Sequence, residues 1–112
     1  MRASEAARIV IVSSDLGSFA NTLTNDWWDW QQEPPLYAAS KSALTMLTLR
    51  YARALPGMRV NAAAPGWTAT DLNAFQGVQT VTEGTDAIIR LATLPPDGPT
   101  GTYLSRHGEV PW

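Results

Sequence analysis

Cysteine is absent from the 112 residues, which excludes disulfide frameworks and thiolate metal sites. Histidine occurs once, at His107, and the carboxylates are scattered, so no metal-ligating cluster is expected. Lysine is equally scarce: of eight basic residues, Lys41 is the single lysine among arginines. The net charge of −2 comes without any Lys/Arg cluster, so no nucleic-acid partner is expected. Long apolar runs are missing too. The stretch Ala6 to Val12 is interrupted by Arg8 and is too short to span a bilayer. It also lacks the ordered zones of a secretion signal. These absences predict a soluble, cytoplasmic protein with no membrane partner.

What is present suffices for one small domain, with 45% hydrophobic and 16% charged residues. Arg8 to Val12 is a short β-branched run that reads as a strand buried on both faces, with a turn at Ser13–Gly17. Residues 18–35 read as a loop carrying Trp27, Trp28 and Trp30. Leu36 to Leu55 is the clearest helix, with Pro35 at its start and Pro56-Gly57 at its end. Ala39, Ala43, Leu44, Leu47 and Tyr51 give that helix an apolar stripe. Met58 to Ala64 is a second strand, stopped by Pro65-Gly66. After an irregular stretch, a helix runs from Thr82 to Leu94, with Thr82 as its N-cap and Ile88, Ile89, Leu91, Ala92 and Leu94 inward. Gly101 to Ser105 is a third strand.

This order, β-α-β-α-β, predicts an α/β fold with right-handed crossovers, a parallel sheet and helices on its faces. Ligand sites in such sheets lie outside the carboxyl ends of the strands. That rule selects Ser13-Ser14, Pro65-Gly66 with the segment that follows, and Tyr37 in the first turn of the helix.

Tyr37 and Lys41 are spaced i, i+4, hence stacked on one helix face. A free phenol titrates near ~10, and an adjacent ammonium favours its ionised form, tuning it toward proton transfer near neutral pH. The ammonium also offers three rotatable donors for sugar hydroxyls, which a planar guanidinium does not reproduce. A serine hydroxyl at the neighbouring strand end can hydrogen-bond an oxygen on which charge develops.

Three segments occur in sequence: Ile9 to Gly17 (IVIVSSDLG), Tyr37 to Leu44 (YAASKSAL) and Arg59 to Asp71 (RVNAAAPGWTATD). Together they resemble the second half of the short-chain dehydrogenase/reductase family, and the ending Gly101 to Ser105 with Val110-Pro111-Trp112 is similar to its carbonyl-reductase-like members. The resemblance covers residues 7–112. It implies the C-terminal half of a three-layer, Rossmann-like parallel sheet and an NAD(P)-dependent oxidoreductase acting on a small carbonyl or alcohol substrate. By the same resemblance, Ser14 matches the serine that polarises the carbonyl, Tyr37 the acid/base, and Lys41 the lysine that tunes the tyrosine and holds the nicotinamide ribose. Pro65, Gly66, Trp67, Thr68 and Thr70 match the segment that holds the nicotinamide carboxamide, and residues 67–81 the mobile substrate loop. Trp67 is the tryptophan expected near a ligand; the others are expected to serve core and loop packing, Trp27, Trp28 and Trp30 alternatively walling the substrate pocket.

The family's first half has no counterpart here: no Gly-rich turn after a first strand, and no residue choosing NAD or NADP. The chain is therefore expected to be a single partial domain, with weak activity alone and a supplied N-terminal half as partner. A non-catalytic alternative is an association module, because family relatives associate through the helix matching residues 36–55 and through the last helix and strand, making a homo-oligomer possible. A hydrolase built from Ser14, Asp71 or Asp86, and His107 has the right chain order, but no Gly-x-Ser-x-Gly elbow surrounds Ser14.

Overall fold

The computed structural model describes residues 6–24 and 35–112. The expected Trp-rich segment carrying Trp27, Trp28 and Trp30 lies outside the described residues. The elements are β1 (Arg8–Val12), α1 (Phe19–Thr24), α2 (Pro35–Ala54), β2 (Arg59–Ala63), α3 (Val81–Ala92), β3 (Tyr103–Ser105) and β4 (Gly108–Glu109). Single 3₁₀ turns follow β1 at Asp15–Gly17 and precede α3 at Asp71–Asn73.

The strands form one sheet in the order β1-β2-β3-β4. β1 and β2 pair in parallel from Arg8 opposite Arg59 to Val12 opposite Ala63, and β2 pairs in parallel with β3 through Ala62 and Tyr103. β4 returns antiparallel to β3 through a turn at Arg106-His107. The α/β architecture with a mostly parallel sheet is the one expected, extended by this hairpin and by α1, neither of which periodicity announces.

Strand alternation sends successive side chains to opposite layers. Val60, with Ile9 and Ile11, packs against Ala52 and Leu55 at the end of α2. Ala63, Val10 and Leu104 pack on the other face against Ala87, Ile88 and Leu91 of α3. The two long helices thus cover opposite faces, giving three layers. β1 is only half-buried on either face and Val12 is exposed, because β2 is its single partner among the described residues.

Several expectations need correction: β1 is not buried on both faces, and residues 18–35, expected as a loop, open with the helix α1 at Phe19–Thr24. The cap of α3 is Thr80, not Thr82: Thr80 and Glu83 form a reciprocal capping box, which places the carboxylate at the third helical position. Ile89 and Ala92 face solvent, while Gly84, Ala87 and Leu91 are buried. The apolar stripe of α2 does not face the sheet either. Ala39, Ala43, Leu47 and Tyr51 are exposed, and the buried residues are Thr45 and Thr48. Their hydroxyls donate back to the Ser42 and Leu44 carbonyls at 2.8 and 2.9 Å, so small β-branched side chains pack on the sheet without leaving a polar atom unpaired.

Candidate active site

The carboxyl ends of β1 and β2 are joined beyond their ladder, since the Ser13 N–H donates to the Ala63 carbonyl at 2.8 Å. Ser13-Ser14 and Ala64-Pro65 therefore leave the sheet side by side. Ser14 closes the 3₁₀ turn that follows: its carbonyl accepts the Gly17 N–H at 2.8 Å, and its hydroxyl accepts the Leu16 N–H and donates to Asp15, both at 3.3 Å.

The first turns of α2 are fastened to this segment. Ser13 Oγ donates to the Lys41 carbonyl at 3.0 Å, and Ser42 Oγ donates to the Gly17 carbonyl at 2.8 Å. Gly17 makes the approach possible, because a Cβ there would lie 2.7 Å from the Lys41 carbonyl carbon. The helix is thereby held with Tyr37 and Lys41 over the end of β1. Lys41 Nζ donates to the Val12 carbonyl at 3.3 Å and lies 5.5 Å from the centroid of the Tyr37 ring, within cation–π range. Tyr37 is 42% exposed, so its phenol is open to a small molecule.

The second wall is the loop between β2 and α3. Gly66 adopts φ +78°, a left-handed conformation that glycine enters without strain. Gln79 closes the loop at its base: its side-chain amide donates to the Pro65 carbonyl and, at 3.0 Å, to Thr68 Oγ1, while its carbonyl accepts the Ala69 N–H at 2.8 Å. Asn73 adds a second tie, donating to the Thr68 carbonyl at 2.8 Å and accepting the Thr70 N–H at 3.1 Å. Among the described residues no acceptor meets the N–H groups of Trp67 and Thr68. Trp67 is half-exposed, and Leu72, Phe75 and Val78 stand exposed around the loop.

Ser14, Tyr37 and Lys41 thus converge on one end of β1, and Pro65, Gly66, Trp67, Thr68 and Thr70 follow the end of β2 beside it. The hydrolase set does not converge. His107 lies exposed in the β3–β4 turn with its N–H on Ser105, and Asp86 faces Arg106. Two residues of the site were not anticipated. Gln79 sits in a stretch without periodicity. Tyr103, 2% exposed, donates its hydroxyl to the Ser14 carbonyl from two strands away. Burial pushes its phenol up to about 12, with the neighbouring acidic groups Asp15 and Tyr37 adding to the effect. The ring packs against Ala62 and Ala64 of β2, whose small side chains leave room for it, a contact that no local sequence pattern announces.

A family model for short chain dehydrogenase matches residues 1–80. A (+)-neomenthol dehydrogenase from Arabidopsis thaliana is 30% identical over 95% of this chain and 47% of its own length. The structure of salutaridine reductase from Papaver somniferum superposes with a TM-score of 0.75 at 28% identity, over 91% of this chain and 46% of that one. An NADPH-bound carbonyl reductase from chicken fatty liver superposes with a TM-score of 0.73 at 31% identity, over 95% of this chain and 43% of that one. The chain spans less than half the length of each of these relatives.

Proposed function

Since the chain belongs to the short-chain dehydrogenase family, whose members are oxidoreductases, we propose that it forms the reacting edge of a nicotinamide-dependent carbonyl reductase, corresponding to the second half of that domain. The observation that carries this reading is the Lys41 ammonium held between the Val12 carbonyl and the Tyr37 ring at the carboxyl end of β1.

The residues present suit a nicotinamide nucleotide. Lys41 has N–H donors to spare for ribose hydroxyls. Gly66 brings the main chain close, and the N–H groups of Trp67 and Thr68 face no protein acceptor among the described residues. Pro65, Gly66, Trp67, Thr68 and Thr70 would hold the carboxamide, and Tyr37 and Lys41 the ribose. When bound, the cofactor, NAD or NADP, supplies the hydride. Tyr37 gives its hydroxyl proton to the carbonyl oxygen as charge develops there, or takes it back in the reverse direction. The Ser14 hydroxyl donates to the same oxygen, turning from Asp15 to do so. Lys41 stabilises negative charge on the Tyr37 oxygen. The apolar side chains Trp67, Leu72 and Phe75 suit a carbonyl compound with an apolar body, in keeping with relatives named for neomenthol and salutaridine.

The purified chain would be assayed with NADPH and NADH against cyclic and aryl ketones, alone and together with the nucleotide-binding half of a carbonyl reductase. Low turnover alone, raised by that half, is expected. Tyr37→Phe should then lower kcat by at least about a hundredfold, the lower end of what a general acid contributes. Unchanged turnover in Tyr37→Phe would refute the acid/base role. The second reading, an association module without catalysis, is favoured by the exposed Met46, Leu47 and Tyr51 on α2.

A further inference from the structure

The chain's last ten residues brace the segment that carries Ser14. Tyr103 begins β3, and its ring crosses β2 over Ala62 and Ala64, whose methyl side chains leave room for it. It emerges at the end of β1 with its hydroxyl on the Ser14 carbonyl. That carbonyl then has two donors, the Tyr103 hydroxyl and the Gly17 N–H, which occupy both of its lone pairs. The rest of the tail grips the same segment. The Val110 N–H donates to the Tyr103 carbonyl at 2.8 Å, which folds the tail back across the sheet. The Trp112 ring rests on Tyr103 with centroids 5.3 Å apart. Ser18 Oγ donates to the Pro111 carbonyl at 2.6 Å, and the Ala20 N–H to the Trp112 carbonyl at 3.1 Å.

We infer that Tyr103 is a positioning residue for the reaction proposed above: its hydroxyl, bound to the Ser14 carbonyl, fixes the main chain from which the Ser14 hydroxyl reaches the substrate oxygen, an inference that rests on that reading of the site. Tyr103 touches no substrate in this scheme. It acts through Ser14. Its phenol, held up to about 12, stays a neutral donor through the pH range in which the enzyme would work. Removing the oxygen alone, as Tyr103→Phe, keeps the ring over Ala62 and Ala64 and the contact with Trp112. What it removes is one of two bonds to a carbonyl at the hinge between strand and turn.

Two readouts on the full chain test this. Amide exchange followed by NMR in Tyr103→Phe should quicken about tenfold at Leu16, Gly17 and Ser18, and change by less than about twofold in the β1–β2 ladder. In ketone reduction with NADPH, measured with the nucleotide-binding half supplied, kcat should fall about tenfold with KM nearly constant, and Tyr103→Phe should cost nothing further in a Ser14→Ala background. Unchanged exchange at residues 16–18, a uniform rise throughout the sheet, or full additivity with Ser14→Ala would each overturn the inference. Should wild-type protein show no turnover, the proposed reaction would fail and the part of Tyr103 in it as well, while exchange would still decide whether the hydroxyl holds the Ser14 segment.

Discussion

At the scale of single residues, the ion pairs among the described residues lie away from the candidate site, at Arg106. Glu83 accepts from Arg106 Nη1 at 2.7 Å and from the Thr80 N–H and hydroxyl at 2.8 and 3.0 Å. Led by the Arg106 bond, these donors hold its carboxyl down at about 2, against an ordinary value of 4.5. A carboxyl with a depressed folded-state pKa stabilises the fold fully above its unfolded value and ceases to do so as pH falls to its folded value. The window is therefore about 4.5 down to about 2. The melting temperature of the wild type should drop through that window more steeply than that of Glu83→Gln, and the two curves should converge at its acid end. Parallel curves would show that the pair carries no pH-dependent stability. This residue could be read as a helix starter from sequence, through Thr80-x-x-Glu83, yet Thr82 competes for the same role two residues on. Arg106, brought in from the β3–β4 turn, is a tertiary partner that no local pattern announces.

At the scale of elements, what sequence conveys well is local and what it conveys poorly is which face meets which. The β-branched run at β1 and the proline- and glycine-bounded helix α2 stand where periodicity and punctuation put them. The face of α2 was misleading because Leu47 and Tyr51 are the larger apolar residues, whereas close packing on the sheet selects Thr45, Thr48 and Ala52. Tyr37 and Lys41 were legible because four residues on a helix fix their juxtaposition. Ser14 joins them through strand order. Tyr103 and Gln79 were not legible, since their bonds span 89 and 14 residues and depend on the finished topology. The contact that registers α2 against the Ser14 turn makes its own prediction. In Gly17→Ala the added methyl would meet the Lys41 carbonyl carbon at 2.7 Å and Lys41 Cβ at 2.8 Å, atoms that cannot swing aside. The overpacking should cost about 1–3 kcal/mol in urea unfolding, outweighing the smaller entropic gain, near 0.4–1 kcal/mol, of replacing glycine. A neutral or stabilised variant would mean that helix and turn are free to separate.

At the scale of the whole molecule, two surfaces stand out among those open to a partner in the described residues: the outer edge of β1, where Lys41 Nζ meets the Val12 carbonyl and no strand pairs, and the solvent face of α2, where Met46, Leu47 and Tyr51 are all near half-exposed. An open strand edge offers ladder hydrogen bonds to any similar strand, and an apolar helix face offers area. The two make different demands. Edge pairing depends on backbone and tolerates side-chain changes, whereas helix packing depends on the side chains themselves. Burying a large apolar side chain contributes about 1.5–3 kcal/mol, so the α2 face, with three such residues repeated on a second copy, outweighs a five-residue edge whose hydrogen bonds largely replace bonds to water. Static light scattering should therefore show an average mass rising above 12.1 kDa with concentration. The double variant Met46→Lys with Leu47→Glu should return it toward the monomer while leaving the circular dichroism spectrum unchanged. A variant that associates as strongly as the wild type would assign the contact to the edge of β1, and a wild type that stays monomeric would remove the structural argument for an association module.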